Sequence, residues 1–309
     1  YEKKALAMME LLKRDVRDVP NLGKVILPGG SGFDHPTHVT LNPSYYPVFI
    51  LRRMAEVDPY WQEVTEGTIR ALVRTAPAGY SPDWAKIDKA GKFMMPEGED
   101  YTIGSYNAIR VYLWTAMMAP EDPAYGVLMR QFDPMRKLTE RMNMPPEKVE
   151  IMTGAVNRPG NPGFGACLLE MLGDSKTAAL IRTVIDGEPI IGENYYRNVL
   201  MLYGAGFDKG LFRFDRNGRV VISKKAVAAQ SAPAAGEAPS ASEAKAQAKP
   251  EAKADAKAAE KPAEKAPEKP AQRAADKADD RAAQQADKAS ETPAAAKTED
   301  NAPAEGAQK

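Results

Sequence analysis

The stretch Gly104–Trp114, GSYNAIRVYLW, carries an amide, a guanidinium and an indole at helical spacing. Asn107, Arg110 and Trp114 fall on one stripe, and Tyr106 stands beside it. Ile109, Leu113 and Ala116 fall on the opposite side, as ordinary core would. A polar stripe with aromatic neighbours suits the floor of a cleft that binds sugar. Amides and guanidinium groups hydrogen-bond hydroxyls, and aromatic faces pack against sugar C–H groups. The rival reading is a surface helix whose long side chains lie along their neighbours.

Other residues bear on the same chemistry. Tyr45, Tyr80 and Trp84 lie in or beside loop-like stretches, where they would serve either as sugar platforms or as rim and core packing. Asp83 adjoins Trp84. It would bind sugar or act as a base, or more plainly cap a local turn. Arg110 would hold a carboxylate or a sugar hydroxyl, or form a structural ion pair. Asp34-His35-Pro36-Thr37-His38 contains metal-ligand types, but a proline within a loop defines no ligand geometry. Gly160–Gly165 resembles a phosphate-binding loop yet lacks both its Lys-Ser/Thr and a preceding strand. Cys167, the single cysteine, sits in an apolar helical stretch and reads as core.

The elements that must position these groups are mainly helices. Tyr1–Arg17 reads as an amphipathic helix without a capping residue. Val19–Leu41 is a loop with extended pieces at 24–27 and 38–41. A helix begins at Asn42-Pro43-Ser44 and runs to about Ala55, and another covers Pro59–Arg74. Ala76–Ile103 is long and irregular, which in a compact domain points to function or disorder. After the central helix come a helix over Pro123–Met142 and a short strand at Lys148–Met152. Helices follow at about Ala166–Leu172, Ser175–Ile185 and Glu193–Tyr203. The stretch 207–222 forms a hairpin turning at Asn217-Gly218. The pattern is that of an all-α domain, residues 1–222, with short β pieces in its loops.

Composition divides the chain. The three tryptophans and the last aromatic residue lie at or before Phe214. From about Lys225 onward Ala, Lys, Glu, Pro, Asp and Gln dominate, so residues 223–309 are expected to be a disordered tail acting as a solvated spacer. The 42 basic and 42 acidic residues balance, which gives no electrostatic case for nucleic acid or an anionic membrane. A lone cysteine excludes an intramolecular disulfide, and no apolar run reaches the roughly 18 residues of a membrane span. The chain opens at Tyr1 within a helical pattern and without an initiator Met, so its natural start is expected to lie further upstream.

Several segments together resemble glycoside hydrolase family 8, particularly its periplasmic endoglucanases encoded with bacterial cellulose synthase. The segments are Val19-Pro20-Asn21-Leu22-Gly23, Ile26-Leu27-Pro28-Gly29, Asn42-Pro43-Ser44-Tyr45, Thr75-Ala76-Pro77 and Ser81-Pro82-Asp83-Trp84. They continue with Ser105-Tyr106-Asn107-Ala108-Ile109-Arg110-Val111-Tyr112, Pro145-Pro146-Glu147-Lys148-Val149 and Gly163-Phe164. They occur in the family's order over about residues 1–216.

The resemblance implies an (α/α)6 barrel whose N-terminal part is missing here, with a cleft across one end that cuts β-1,4-glucan with inversion. Inversion needs a general acid for the leaving oxygen and a carboxylate base about 6.5–9.5 Å away to activate water. The family's acid lies upstream of every segment matched here. Where close relatives carry the Asp that serves as base, this chain has Asn107. An amide orients water but takes no proton, and losing a general base costs about 10²–10⁴-fold. An inactivating substitution, a non-catalytic relative and a branch with its base elsewhere all fit that departure. The resemblance further implies substrate contacts at Tyr45, Tyr80, Trp84, Tyr106 and Arg110, and no metal or other cofactor. It implies a periplasmic or secreted location and a cellulose synthase complex as partner. A non-catalytic glucan-binding or scaffold role in cellulose export is the alternative.

Overall fold

A computed structural model describes residues 1–190 and 192–224, with the side chain of Glu99 left out of the description. The tail expected from residue 225 onward lies outside the described residues. Ten α-helices occur among the described residues: α1 (Glu2–Leu12), α2 (Val48–Val57), α3 (Tyr60–Arg74), α4 (Glu99–Thr102), α5 (Ile109–Ala116), α6 (Tyr125–Gln131), α7 (Asp133–Met142), α8 (Pro162–Leu172), α9 (Lys176–Asp186) and α10 (Tyr195–Asp208). Eight short strands pair as four separate antiparallel ribbons. β1 (Val16–Val19) pairs with β2 (Gly23–Ile26), and β3 (His38–Leu41) with β4 (Ala85–Asp88). β5 (Ile103–Gly104) pairs with β6 (Val149–Glu150), and β7 (Phe212–Phe214) with β8 (Val220–Ile222).

The helix that organises the core is α8. Every residue from Gly163 to Leu172 except Glu170 is buried, so it presents no solvent face and must be surrounded. α5, α9 and α10 pack around it. Gly204 lets α10 approach closely, because a β-carbon there would lie 2.2 Å from the Ala166 carbonyl oxygen. Asn161 starts α8 by accepting from the Phe164 N–H, and Pro162 follows at the first helical position. The glycine-rich stretch Gly160–Gly165 is therefore a helix start and a packing surface. A second, smaller core joins α2 and α3 through Leu51, Met54, Trp61 and Val64.

Several boundaries differ from the sequence reading. The first helix ends at Leu12 and passes through a 3-10 turn into β1, because Val16–Val19 pairs with Val25 and its neighbours. The Asn42 helix is a 3-10 turn over Pro43–Tyr45, capped by the Asn42 side chain. Pro47 then restarts the chain as α2, since its ring cannot continue the preceding helix. The stretch Pro123–Met142 divides at Phe132, which is fully buried between α6 and α7. α8 begins at Pro162 and α10 runs on to Asp208, further than the pattern indicated. The irregular stretch 76–103 contains β4, whose partner β3 lies more than forty residues earlier in the chain.

Candidate active site

Two of the ribbons deliver the candidate groups. β4 follows directly on Asp83-Trp84, and β5 leads into the turn Ser105–Ala108 that starts α5. The central helix thus begins later than its periodicity suggests, and Tyr106 and Asn107 sit in the turn ahead of it. That turn is held from outside. The Asp83 carboxylate accepts through Oδ1 from the backbone N–H groups of Ser105 (2.9 Å), Asn107 (3.0 Å) and Ala108 (2.7 Å). The Asp83 N–H donates to the Ile103 carbonyl at 2.9 Å, so the two segments are tied at both ends of the residue. Asp83 thus holds the turn ahead of α5 from more than twenty residues away, rather than capping its own local turn. Part of Asp83 is accessible, but its carboxyl lies among packed atoms. Burial pushes its pKa up to about 6, against the pull of the three N–H groups and the Arg110 charge.

The turn is clamped elsewhere as well. The Ser105 hydroxyl donates to the Glu147 carbonyl at 2.6 Å, and the Tyr196 hydroxyl donates to the Tyr106 carbonyl. The Tyr106 hydroxyl donates to Glu147 Oε1 at 2.9 Å. Its ring packs edge-on against Phe164, with centroids 5.2 Å apart. Glu147 also accepts from Arg158 Nε (2.6 Å) and Nη2 (3.0 Å), and from Asn157 at 3.1 Å. The Arg158 guanidinium and these further donors hold its carboxyl down at about 2. Burial, helped by the same anion, pushes the Tyr106 phenol up to about 12. Glu147 is therefore a spent carboxylate, ionised and engaged, and too weak a base to take a proton near neutrality.

Arg110, one turn into α5, donates from Nη2 to the Asn107 side-chain oxygen. Its guanidinium lies 6.0 Å from the centre of the Tyr45 ring, within cation–π range. Trp114 donates from its indole N–H to the Ser44 carbonyl (3.0 Å), and Asn42 fixes Ser44 through its own side chain. Tyr45, Tyr106, Asn107 and Arg110 thus gather around the N-terminal end of α5. The four stripe positions 106, 107, 110 and 114 are half-buried, whereas Ile109, Leu113 and Ala116 are buried.

Two candidates are placed differently. Tyr80 is packed into the main core, with its ring against the backbone of Gly154, so it does not present a face to a ligand. Trp84 turns to a separate groove, where it stacks in parallel on Phe33 (centroids 6.0 Å apart) beside Phe93 and Tyr101. The Asp34 carboxylate is taken by Lys89 and Arg17, and the His35 and His38 rings stack 4.4 Å apart. Cys167 is buried in α8, where burial raises its thiol pKa. Glu147, Arg158 and Tyr196 complete the cluster. Of these, only Glu147 fell within a quoted motif, and nothing in local spacing marks Tyr196, which sits ninety residues from the carbonyl it binds.

An amide, a guanidinium and aromatic rings are thus gathered around one helix start on a helical scaffold. Comparison with known proteins gives this scaffold a family. The model of the family "Glycosyl hydrolases family 8" matches residues 1–210, and the chain belongs to that family. It is 36% identical over 215 residues to an endoglucanase of Escherichia coli K12, covering 68% of this chain and 58% of that protein. It is 32% identical over 230 residues to an endoglucanase of Xanthomonas axonopodis, covering 72% and 59%. Among solved structures, the endo-1,4-D-glucanase of Vibrio fischeri ES114 matches at 35% identity with a TM-score of 0.64, over 70% of this chain and 64% of that one. The chain spans a little under three fifths of the length of these curated relatives. Among the described residues no helix is long and apolar enough to cross a membrane.

Proposed function

We propose that this chain is the C-terminal part of an inverting endo-β-1,4-glucanase built as an (α/α)6 barrel, acting on β-1,4-glucan in the periplasm alongside bacterial cellulose synthesis. The endoglucanase relatives and the family match over residues 1–210 support this reading. One observation carries the site. Asn107, which the family resemblance puts at the base position, stands on a turn fixed by Asp83 and accepts from Arg110. In the proposed mechanism a carboxylate at 107 takes the proton of a water attacking the anomeric carbon. A general acid upstream of the matched segments protonates the leaving oxygen. Arg110 would orient the carboxylate at 107, and Tyr45 and Tyr106 would pack against sugar faces. With an amide at 107, water is oriented but not deprotonated.

The test is Asn107→Asp in the full-length protein, assayed on carboxymethyl-cellulose. The expected result is a gain of about 10²–10⁴-fold, the usual worth of a general base. Ordinary hydrolysis by the Asn107 protein, with no gain on substitution, would overturn the assignment of position 107. A second reading rests on the bond that Arg110 donates to the Asn107 side-chain oxygen, which gives the amide a partner of its own. On that reading the chain is a non-catalytic glucan-binding component of cellulose export. It then binds cello-oligosaccharides, and Asn107→Asp leaves it inert.

A further inference from the structure

We infer that Asp83 is a positioning residue that sets where the side chain at 107 points. The inference rests on the reading of 107 as the base position, and its argument is geometric. Asp83 Oδ1 gathers three N–H groups from the turn 105–108, those of residues 105, 107 and 108, and one of them belongs to residue 107 itself. Fixing that N–H fixes the Cα–Cβ direction of residue 107 against the carboxylate. The other clamps on the turn, Tyr196 on the Tyr106 carbonyl and Ser105 on the Glu147 carbonyl, act on its neighbours.

An ionised carboxylate is a costly way to hold three N–H groups, since a neutral amide oxygen offers the same lone pairs. It buys stiffness, because charge-assisted bonds are shorter and roughly twice as strong. That stiffness is present when Asp83 is ionised and is lost as it protonates. The charged and titratable groups facing it are Arg110 and Tyr112 from α5 and Tyr196 from α10. Only Arg110 carries charge in the neutral range, and it favours the ionised form. Misplacing a reacting group by about 1 Å costs about 10²-fold, so loosening this turn should be read in kcat.

The experiment uses the full-length protein carrying Asn107→Asp, with kcat and KM for a cello-oligosaccharide measured between pH 4 and 8 per folded molecule. Adding Asp83→Ala is expected to lower kcat about 10²-fold with KM little changed. Asp83→Asn, which keeps an acceptor for the three N–H groups but no charge, is expected to hold kcat across the range at the low level the Asp83 enzyme reaches below about pH 6, and so to remove the acid limb there. Unchanged kcat per folded molecule in Asp83→Ala, or a superimposable pH profile in Asp83→Asn, would overturn the inference. Failure of Asn107→Asp to raise hydrolysis would instead sink the base-position reading. In that case the backbone amide resonances of Ser105, Asn107 and Ala108 decide about Asp83. They should titrate together with a midpoint near 6 and stop doing so in Asp83→Asn, and three independent titrations would refute it.

Discussion

Replacing Glu147 by Gln tests whether the carboxylate that holds Tyr106 and Arg158 stabilises the fold. Its pKa is held at about 2 against an ordinary 4.5, and such a shift is linked to about 3 kcal/mol of stability at neutral pH. That figure is a ceiling. The Glu147 side chain is 13% exposed but its main partner Arg158 is 70% exposed, so solvent screens the pair and roughly 1–2 kcal/mol is the expected loss. The sign follows from the depressed pKa: the contribution is present above about pH 4.5 and is lost as pH falls through about 2. Urea unfolding followed by tryptophan fluorescence should therefore show Glu147→Gln less stable by this amount at pH 7. The deficit should begin to shrink below pH 4.5. A variant as stable as the parent at pH 7, or a deficit that stays constant down to pH 3, would refute the assignment of the Tyr106–Glu147–Arg158 cluster as a charged anchor.

Two further substitutions probe the scaffold. Asp122 is 3% exposed and accepts from Arg52 Nε (2.8 Å) and Nη2 (3.1 Å) while capping Ala124. Asp122→Ala should cost up to about 3–5 kcal/mol, because the buried Arg52 guanidinium then keeps only a 3.4 Å contact to the half-exposed Glu66, measured as a fall in the urea midpoint. Gly218 turns the last hairpin at φ +72°, and a β-carbon there would lie 1.8 Å from the Phe49 carbonyl oxygen. Gly218→Ala should cost more than the roughly 1–2 kcal/mol of a left-handed residue, seen as faster amide exchange in β7, β8 and the start of α2.

The stripe on α5 was legible because its chemistry is local. Apolar residues every three or four positions mark the buried side, and the polar residues between them mark the other. The α9 start at Ser175 and the hairpin turn at Gly218 were legible for the same reason: a cap and a left-handed glycine carry their signal within a few residues. What escaped the sequence depends on partners far along the chain. The true start of α5 follows a turn whose N–H groups are captured by a carboxylate some twenty residues upstream. β4 extends only because β3 offers it a partner, and β1 interrupts a helical pattern because β2 does. Tyr80 looked like a platform because it lies in a loop rich in turn residues, yet the left-handed Gly154 brings another loop down onto its ring.

Two carboxylates hold opposite sides of one turn, and their protonation is pushed in opposite directions. Burial raises Asp83 to about 6, whereas four donor contacts lower Glu147 to about 2. A carboxyl raised from 3.8 contributes stability that is present below about pH 3.8 and lost as pH rises through about 6. Keeping Asp83 ionised near neutrality therefore costs the fold stability, while Glu147 adds to it over the same range. A purely structural cap would avoid that cost with Asn or Ser, both of which accept from helix N–H groups without a charge. The cost is intelligible if the ionised form is what the turn requires, because on the proposed reading the residue it orients stands where a water would lose its proton. On that reading the preorganisation of the site resides in Asp83, and an amide at 107 offers no proton acceptor while leaving that framework in place.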